Sequence, residues 1–599
     1  MIKLEKSIKK MIFYVLGIGL IAFLTFLPSL NNEFINWDDG TYIFQNPYIQ
    51  HLTWPNLKKI IGIYHYWMPV TWLTHALDVH WFGLKPAGHH LTSIGIHALN
   101  SILVFLLLLR LYRWKNPQAS VSSLTLLLCA FVSVVWAVHP LRVESVVWAS
   151  QKKDLLAGFF MLLTYMWYVK VAQAETSSEK WRPYAVTFLF FILAVASKPS
   201  AIMVPCVLFL IDWFGQRRLT VWDKIPFFVI SGIIAFTTIL GQHHVKAFIP
   251  LTTISGTDRI FNALLSWVFY IEKTVFPYPL HLYYPPFHST FTDVRPWLSL
   301  VFLVIMLGSG MYLFKRFQQR LVLAGILSYM IHVVPVLGLF MVGNQVVANR
   351  WSYLSTVSLY YIAAGILTRF IPCLRRDFLL IAGACGIFVL GLLFSLTVQQ
   401  IRYWKTPVTF WKQVIKTTRS PQFFAYHNLG WAYENKHDII NAISAYEKAI
   451  SLAPNRGAFS YLNLGHIYKD RGYLTPARDY YEKSLQLQPK LVEAYIGLSQ
   501  SYMMEENYRE AISILKTAIE SYPSKKYLYL LLGYAFYKIE AREEAISILE
   551  KALPSADPDV YYLLGLMMKE KSNWKAAREY FLKVKALDPD YQNIDEHLK

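Results

Sequence analysis

The sequence predicts an all-α protein in two parts, a polytopic bundle of membrane helices followed by a helical-repeat solenoid. Three observations carry this prediction. Apolar runs of roughly bilayer length recur along the first two thirds of the chain. A self-similar pattern with a period of 32 to 35 residues takes over from residue 423. The charge also changes character, with 36 Lys+Arg against 15 Asp+Glu up to residue 420 and 22 against 23 from 421 onward. The net charge of +20 thus belongs to the first part. There the basic residues fall in short loops between apolar runs, as the positive-inside rule expects. A nucleic-acid-binding domain would gather them on one soluble face, so no nucleic-acid partner is expected.

The chain opens with K-L-E-K-S-I-K-K (3–10) ahead of an apolar run from Met11. The run is about as long as a bilayer is thick and no A-x-A-like cleavage site follows, so it reads as an uncleaved first span. Further runs lie near 91–112, 121–138, 155–173, 183–197, 199–214, 225–241, 297–314, 321–341, 352–368 and 378–398. A twelfth stretch, 260–280, is broken by Glu272 and Lys273 and holds P-Y-P at 277–279. If it lies in the interface or re-enters, about 11 spans result. Residues 3–10, Arg110/Arg113/Lys115, Arg217/Arg218, Lys315/Arg316/Arg320 and Arg369/Arg375/Arg376 then share the cytoplasmic side, together with the N-terminus. The four cysteines (Cys129, Cys206, Cys373, Cys385) lie in or beside apolar segments and form no disulfide framework for the second part.

This topology puts the loops 31–90, 139–154, 242–296 and 342–351 outside. The first holds N-W-D-D-G-T-Y-I-F-Q-N-P (36–47), with adjacent carboxylates Asp38 and Asp39, then His65 and the stretch 70–83. That stretch has apolar residues at helical spacing, with Trp72 and Trp81 suited to the headgroup level. The second loop offers Arg142, Glu144, Lys152, Lys153 and Asp154, and the last offers Arg350. Carboxylates from one loop and cations from two others can therefore meet on one external face.

Three segments follow from this reading: a membrane domain (1–398), a connector (399–422) and a repeat domain (423–599). The connector is basic (Arg402, Lys405, Lys412, Lys416, Arg419) and aromatic (Tyr403, Trp404, Phe410, Trp411), which suits a helix lying along the membrane surface. In the repeats, Leu-Gly or an equivalent opens each unit at 429, 464, 498, 532 and 564. An alanine follows at 442, 477, 511, 545 and 577, and a large apolar residue four later at Tyr446, Tyr481, Leu515, Leu549 and Phe581. Four units share a late proline (Pro454, Pro489, Pro523, Pro589), and in the fourth unit Pro558 falls one residue past that position. This is the tetratricopeptide signature, five helix–turn–helix units stacked as a solenoid, whose groove suits an extended peptide or protein segment. The last span runs outward, which places the repeats outside the cytoplasm.

Taken together, F-I-N-W-D-D-G-T-Y-I (34–43), M-P-V-T-W-L-T-H-A-L-D (68–78), G-L-K-P-A-G-H-H-L-T (83–92) and H-P-L-R-V-E-S-V-V-W-A-S-Q-K-K-D (139–154) carry a family likeness. S-K-P-S-A-I (197–202), P-V-L-G-L-F (335–340) and V-A-N-R-W-S-Y-L (347–354) add to it. The chain resembles the transmembrane O-mannosyltransferases with tetratricopeptide repeats and their bacterial relatives, polytopic glycosyltransferases of the GT-C fold. The resemblance implies an enzyme of a bacterial inner membrane that moves a sugar, mannose in the family's name, from a polyprenyl-phosphate carrier to a protein hydroxyl outside the cytoplasm. It also implies that an acidic residue of the first external loop acts as base or orients the acceptor, a role that carries over to Asp38 and Asp39. Relatives often have Asp-Arg or Glu-Arg where this chain has Asn349-Arg350, so only the arginine of that pair is present.

Such chemistry needs few groups. A carboxylate must take the acceptor proton, and cations must steady the charge that develops on the departing phosphate. Asp38 and Asp39 are the candidate catalytic residues, with Asp39 slightly preferred; an ordinary Asp-Asp-Gly turn is the plainer reading. Arg350 is the first candidate for the phosphate because a guanidinium can bind it through two hydrogen bonds. An ion pair with Glu144 or Asp154 is its structural alternative. Lys152 and Lys153 are placed beside it, and Arg142, Glu144 and His65 in support, with Arg142 and Glu144 near enough in sequence to pair with each other. His89, His90, His97, His243 and His244 show neither H-E-x-x-H nor cysteine-rich spacing, so packing roles are expected and no metal or other cofactor is called for. The rival reading is a non-catalytic, membrane-anchored repeat scaffold, which would be indifferent to both aspartates.

Overall fold

The computed structural model describes residues 2–62, 67–117, 121–244, 247–286, 291–339, 343, 345–418, 422–554, 557–591 and 594–598. Two compact units are present, Met1–Arg419 and Ser420–Lys599. Helices make up both, and no strand occurs among the described residues.

Among the described residues of the first unit six helices are long and apolar enough to cross a membrane: Lys9–Asn31, Pro86–Lys115, Ala149–Gln173, Ile225–His244, Val294–Phe317 and Asp377–Tyr403. Two bent pairs, Ser123–Ala137 with Pro140–Val147 and Asn349–Ser355 with Val357–Cys373, each turn by 51° and bring the number to eight. Pro199–Phe214 and Arg320–Val336 are apolar but shorter. The stretch expected to cross incompletely, 260–280, forms the helix Gly256–Val275 and is not among those apolar enough to span. Large side chains such as Phe236, Ile305, Ile387 and Phe388 point outward and are exposed, which only a lipid surrounding makes favourable. The chain is an integral membrane protein.

The helix Pro86–Lys115 forms the middle of this unit, packing on the first helix, on Ser123–Ala137 and on Lys152–Gln173. Two polar side chains on its buried face are tied to neighbouring segments. Asn100 Nδ2 donates to the Leu155 carbonyl at 2.9 Å and the Tyr353 hydroxyl at 3.0 Å, and His97 meets the same hydroxyl at 2.8 Å and the Ala137 carbonyl at 3.0 Å. Unpaired, each such group would cost about 1–3 kcal/mol.

Three expectations are corrected here. The segment 139–154 is packed core rather than an open loop. Its short helical turns Pro140–Arg142, Val143–Val147 and Ala149–Gln151 are buried throughout. Leu141, Val143, Val146, Val147 and Trp148 outweigh its charges, and the charges find partners inside. Second, the helix Pro69–Phe82 does not offer Trp72 to a headgroup layer. Trp72 is 4% exposed and stacks on Tyr42 with ring centroids 4.8 Å apart, while Trp81 is 66% exposed. The helix buries a polar stripe, Thr71, His75 and Asp78, at the spacing that shares one helical face. Third, the connector helix Pro407–Thr417 buries Phe410, Trp411 and Val414 within this unit. Trp411 Nε1 donates to Asn36 Oδ1 at 2.7 Å, so the aromatic residues that suggested a lipid contact serve a protein contact.

The second unit is a row of helix pairs: Phe423–Glu434 with Ile439–Leu452, Ala458–Asp470 with Leu474–Leu487, Val492–Met504 with Tyr508–Ser521, Lys526–Lys538 with Arg542–Lys551, and Pro558–Glu570 with Trp574–Leu587. The recurring alanines are buried, and the recurring glycines explain the pairing distance. A Cβ on Gly430 would meet the Tyr446 ring at 2.7 Å, one on Gly465 the Tyr481 ring at 2.6 Å, and one on Gly565 the Phe581 ring at 2.6 Å. The displaced fourth-unit proline has a different duty, as Pro558 occupies the first position of the next helix, where a missing N–H costs nothing.

Candidate active site

The site grows from the segment that follows the first span. Trp37 stacks on Trp148 at 5.1 Å and lies 5.4 Å from Trp411, which fixes the chain just ahead of the aspartates. Asp39 then turns inward and is 1% exposed. Its Oδ2 accepts the Ile35 N–H at 2.8 Å and its Oδ1 the Ser150 N–H at 2.9 Å, tying the first loop to the 139–154 core. Burial pushes its carboxyl up to about 7, against the two N–H donors that favour the charged form, with Asp38 adding a smaller upward push. Asp38 is only partly buried and accepts no hydrogen bond through its side chain among the described residues. The adjacent carboxylates therefore have different environments, one clasped by backbone and one open.

Tyr42 marks where the charges gather. Burial holds its hydroxyl neutral; Asp38 and Asp154 reinforce this and Arg350 opposes it, so three charges from three segments act on one phenol. Lys153 Nζ sits 4.1 Å above the centre of the Tyr42 ring.

Arg350 is ion-paired with Glu144 through its guanidinium, donates its own N–H to Glu144 Oε2 at 3.1 Å and reaches Gln345 Oε1 at 3.0 Å. Its guanidinium carbon lies 5.4 Å from the Trp148 ring and 5.3 Å from Trp351. The structural partner foreseen for Arg350 is thus present. The pairing foreseen between Arg142 and Glu144 is not. Arg142 is fully buried and donates to the Ser352 carbonyl at 2.9 Å, the Tyr353 carbonyl at 2.7 Å and Thr356 Oγ1 at 2.9 Å. It pins the turn that carries Arg350.

Lys152, expected beside Arg350, is elsewhere: it is ion-paired with Asp78 and fully buried. His65 lies outside the described residues. His97 is hydrogen-bonded as a packed histidine should be, whereas His89 Nδ1 faces Asp78 at 3.6 Å.

One cavity collects Asp154, Lys198, His332, Arg350, Trp351 and Tyr353. Lys198, ion-paired with Asp154, was not singled out in the sequence. Burial lowers its ammonium, Asp154 opposes that, and Lys153 and Arg350 lower it further, so two other cations act on Lys198. A signal was available, because Lys198 is a lone lysine set directly between two apolar runs, 183–197 and 199–214. His332 closes one side of the cavity and accepts or donates to the Tyr165 hydroxyl at 2.8 Å. Beyond it lies an apolar crevice lined by Leu107, Leu162, Tyr165, Val207, Leu210 and Val357, among others. A polar chamber with clustered cations thus adjoins an apolar slot within the bundle.

Residues 425–456 and 460–491 match one model of the tetratricopeptide repeat, and residues 502–567 match a second. Among curated proteins the chain is similar to protein O-mannosyl-transferase Tmtc1 of Drosophila melanogaster, 24% identical over 230 residues, 37% of this chain and 25% of that protein. It is also similar to a protein O-mannosyl-transferase of Caenorhabditis elegans, 21% identical over 459 residues, 73% of this chain and 62% of that protein. The chain spans a quarter or less of the length of the first curated relatives it matches. Among solved structures it is similar to YrrB, described as a tetratricopeptide-repeat protein with an unusual peptide-binding site, at 20% identity over 31% of this chain and 96% of that one, with a TM-score of 0.28. The family resemblance read from the motifs is borne out by these relatives, and the helical-repeat reading by the two repeat models.

Proposed function

We propose that the first unit transfers a sugar from a polyprenyl-phosphate carrier to a hydroxyl of a protein acceptor on the non-cytoplasmic side, and that the repeats hold the acceptor. The observation that carries the reading is the chamber in which Asp154, Lys198 and Arg350 adjoin an apolar slot across His332. Its two halves suit an amphiphile with a phosphate head and a hydrocarbon tail. The curated relatives named as protein O-mannosyl-transferases support sugar transfer to protein, with mannose as the first sugar to try.

In this reading Asp38, open and close to Tyr42 and Arg350, takes the proton of the acceptor hydroxyl. That oxygen attacks the sugar carbon, the bond to the phosphate oxygen breaks, and the configuration inverts because no protein nucleophile intervenes. Lys198, Lys153 and Arg350 steady the released phosphate charge. Asp39, with both oxygens occupied by backbone N–H groups, positions the loop and is not the base. The test is a transfer assay with a panel of polyprenyl-phosphate sugars, comparing the wild type with Asp38→Asn. Loss of transfer in the variant is expected; equal transfer by both overturns the reading. A reporter fused after Lys599 that is active only on the cytoplasmic side overturns its sidedness.

A further inference from the structure

Three ligand-type side chains meet where the helix Pro69–Phe82 faces Pro86–Lys115. His75 and Asp78, three residues apart, share the inner face of the first helix, and His89 enters from the first turn of the second. One ligand atom from each lies within 4.8 Å of the other two, and all three residues are buried. Neither ring nitrogen of His75 has a hydrogen-bond partner among the described residues, nor does His89 Nδ1. The opposite atoms are held in place. His89 Nε2 meets the Gly83 carbonyl at 3.1 Å, which leaves Nδ1 with its lone pair directed inward, and Asp78 Oδ1 accepts the Thr92 hydroxyl at 2.7 Å, which turns Oδ2 toward the two rings and the Lys152 ammonium.

We propose that His75, Asp78 and His89 form a binding site for a divalent transition-metal ion of the zinc class. Two imidazoles and a carboxylate are a donor set that zinc takes, with bonds of about 2.0–2.2 Å, whereas calcium and magnesium ask for oxygen alone. The Gly83 and Thr92 contacts are what orients metal ligands from behind. Packing alone would not leave the His75 ring without a hydrogen-bond partner beside a carboxylate, since buried polar groups are nearly always paired.

Lys152 is the competitor. Its ammonium is ion-paired with Asp78 Oδ2, the oxygen the ion needs. Metal entry displaces that ammonium, so metal and lysine proton are alternatives at one carboxylate. His75 and Asp78 lie on Pro69–Phe82 and His89 on Pro86–Lys115, so the ion would clamp the first of these helices to the second without touching the sugar. This inference does not depend on the proposed transfer.

The test uses the full chain in detergent micelles, stripped with a chelator and equilibrated with zinc sulfate. Zinc per chain is measured by atomic emission after desalting, and thermal unfolding is followed with and without zinc. The wild type should retain about one zinc per chain and unfold at higher temperature with it, and His75→Ala and His89→Ala should lose both effects. Because those variants can also disturb folding, Lys152→Met, which keeps all three ligands, decides. It should bind zinc at least tenfold more tightly. Absence of zinc from both the wild type and Lys152→Met overturns the site. So does zinc retained equally by the two histidine variants, or an affinity that Lys152→Met leaves unchanged or lowers.

Discussion

Glu144 receives Arg350 twice, once from the backbone N–H at 3.1 Å and once from the guanidinium. A carboxylate held in this way sets the plane of the guanidinium against Trp148 and Trp351 rather than cancelling it, because Arg350 still lines the cavity with Lys198. Glu144→Gln keeps the shape and the N–H acceptor but removes the charge. The expected result is a donor KM raised about tenfold with kcat nearly unchanged, read from steady-state transfer kinetics. Arg350→Ala should cost about a hundredfold or more in kcat/KM, as loss of a charged partner in a shielded site does.

The two aspartates should separate by readout. Asp38→Asn is expected to lower kcat by about a hundredfold or more while the unfolding temperature moves little, since its side chain is bonded to nothing described. Asp39→Asn puts an NH2 against one of two backbone N–H donors and should cost about 1–3 kcal/mol of stability. Thermal unfolding and single-turnover transfer on the same preparations distinguish them. Swapped phenotypes would return the base to Asp39.

Lys198 offers a separate check on the phosphate end of the chamber. Lys198→Met leaves Asp154 without its ion partner and removes one of three neighbouring cations. Donor KM should rise about tenfold or more, and Lys198→Arg should restore part of it, whereas acceptor KM should stay put.

These predictions also mark how far the sequence could be read. Apolar runs and a spaced repeat are local signals, so the long helices and the five helix pairs were legible from them. Partner choice is not local. Arg142 and Glu144 are two residues apart, which looks like a pair in print, but residues at that spacing project from different sides of a helical turn. Glu144 therefore finds Arg350, 206 positions away, and Arg142 finds the carbonyls of Ser352 and Tyr353. Lys152 and Lys153 part for the same reason, one toward Asp78 and one over Tyr42. The polar stripe Thr71–His75–Asp78 was hidden because an apolar pattern on the same helix drew attention to Trp72 and Trp81.

The repeat pairing can be tested at its tightest contact. A Cβ on Gly533 would lie 2.5 Å from Leu549 Cγ, so Gly533→Ala must push apart the helices Lys526–Lys538 and Arg542–Lys551. Overpacking of this kind costs about 1–3 kcal/mol. Hydrogen exchange of those two helices in the full chain should speed up about tenfold, while the helix Pro86–Lys115 in the other unit is unaffected.

The pH dependence of stability supplies the last prediction. Asp39 is raised to about 7 in the folded protein from an ordinary 3.8, because of burial that the unfolded chain lacks. Between those values the folded protein keeps a proton that the unfolded chain has released. Stability therefore falls as pH rises through that window, the reverse of a salt-bridged carboxylate, and levels off above it. Asp39→Asn cannot titrate, so its stability should lie below the wild type at pH 4 and the gap should narrow by pH 7. Unfolding temperatures measured at half-unit steps between those limits check this, and a gap that stays constant or widens with pH would assign the slope to another group.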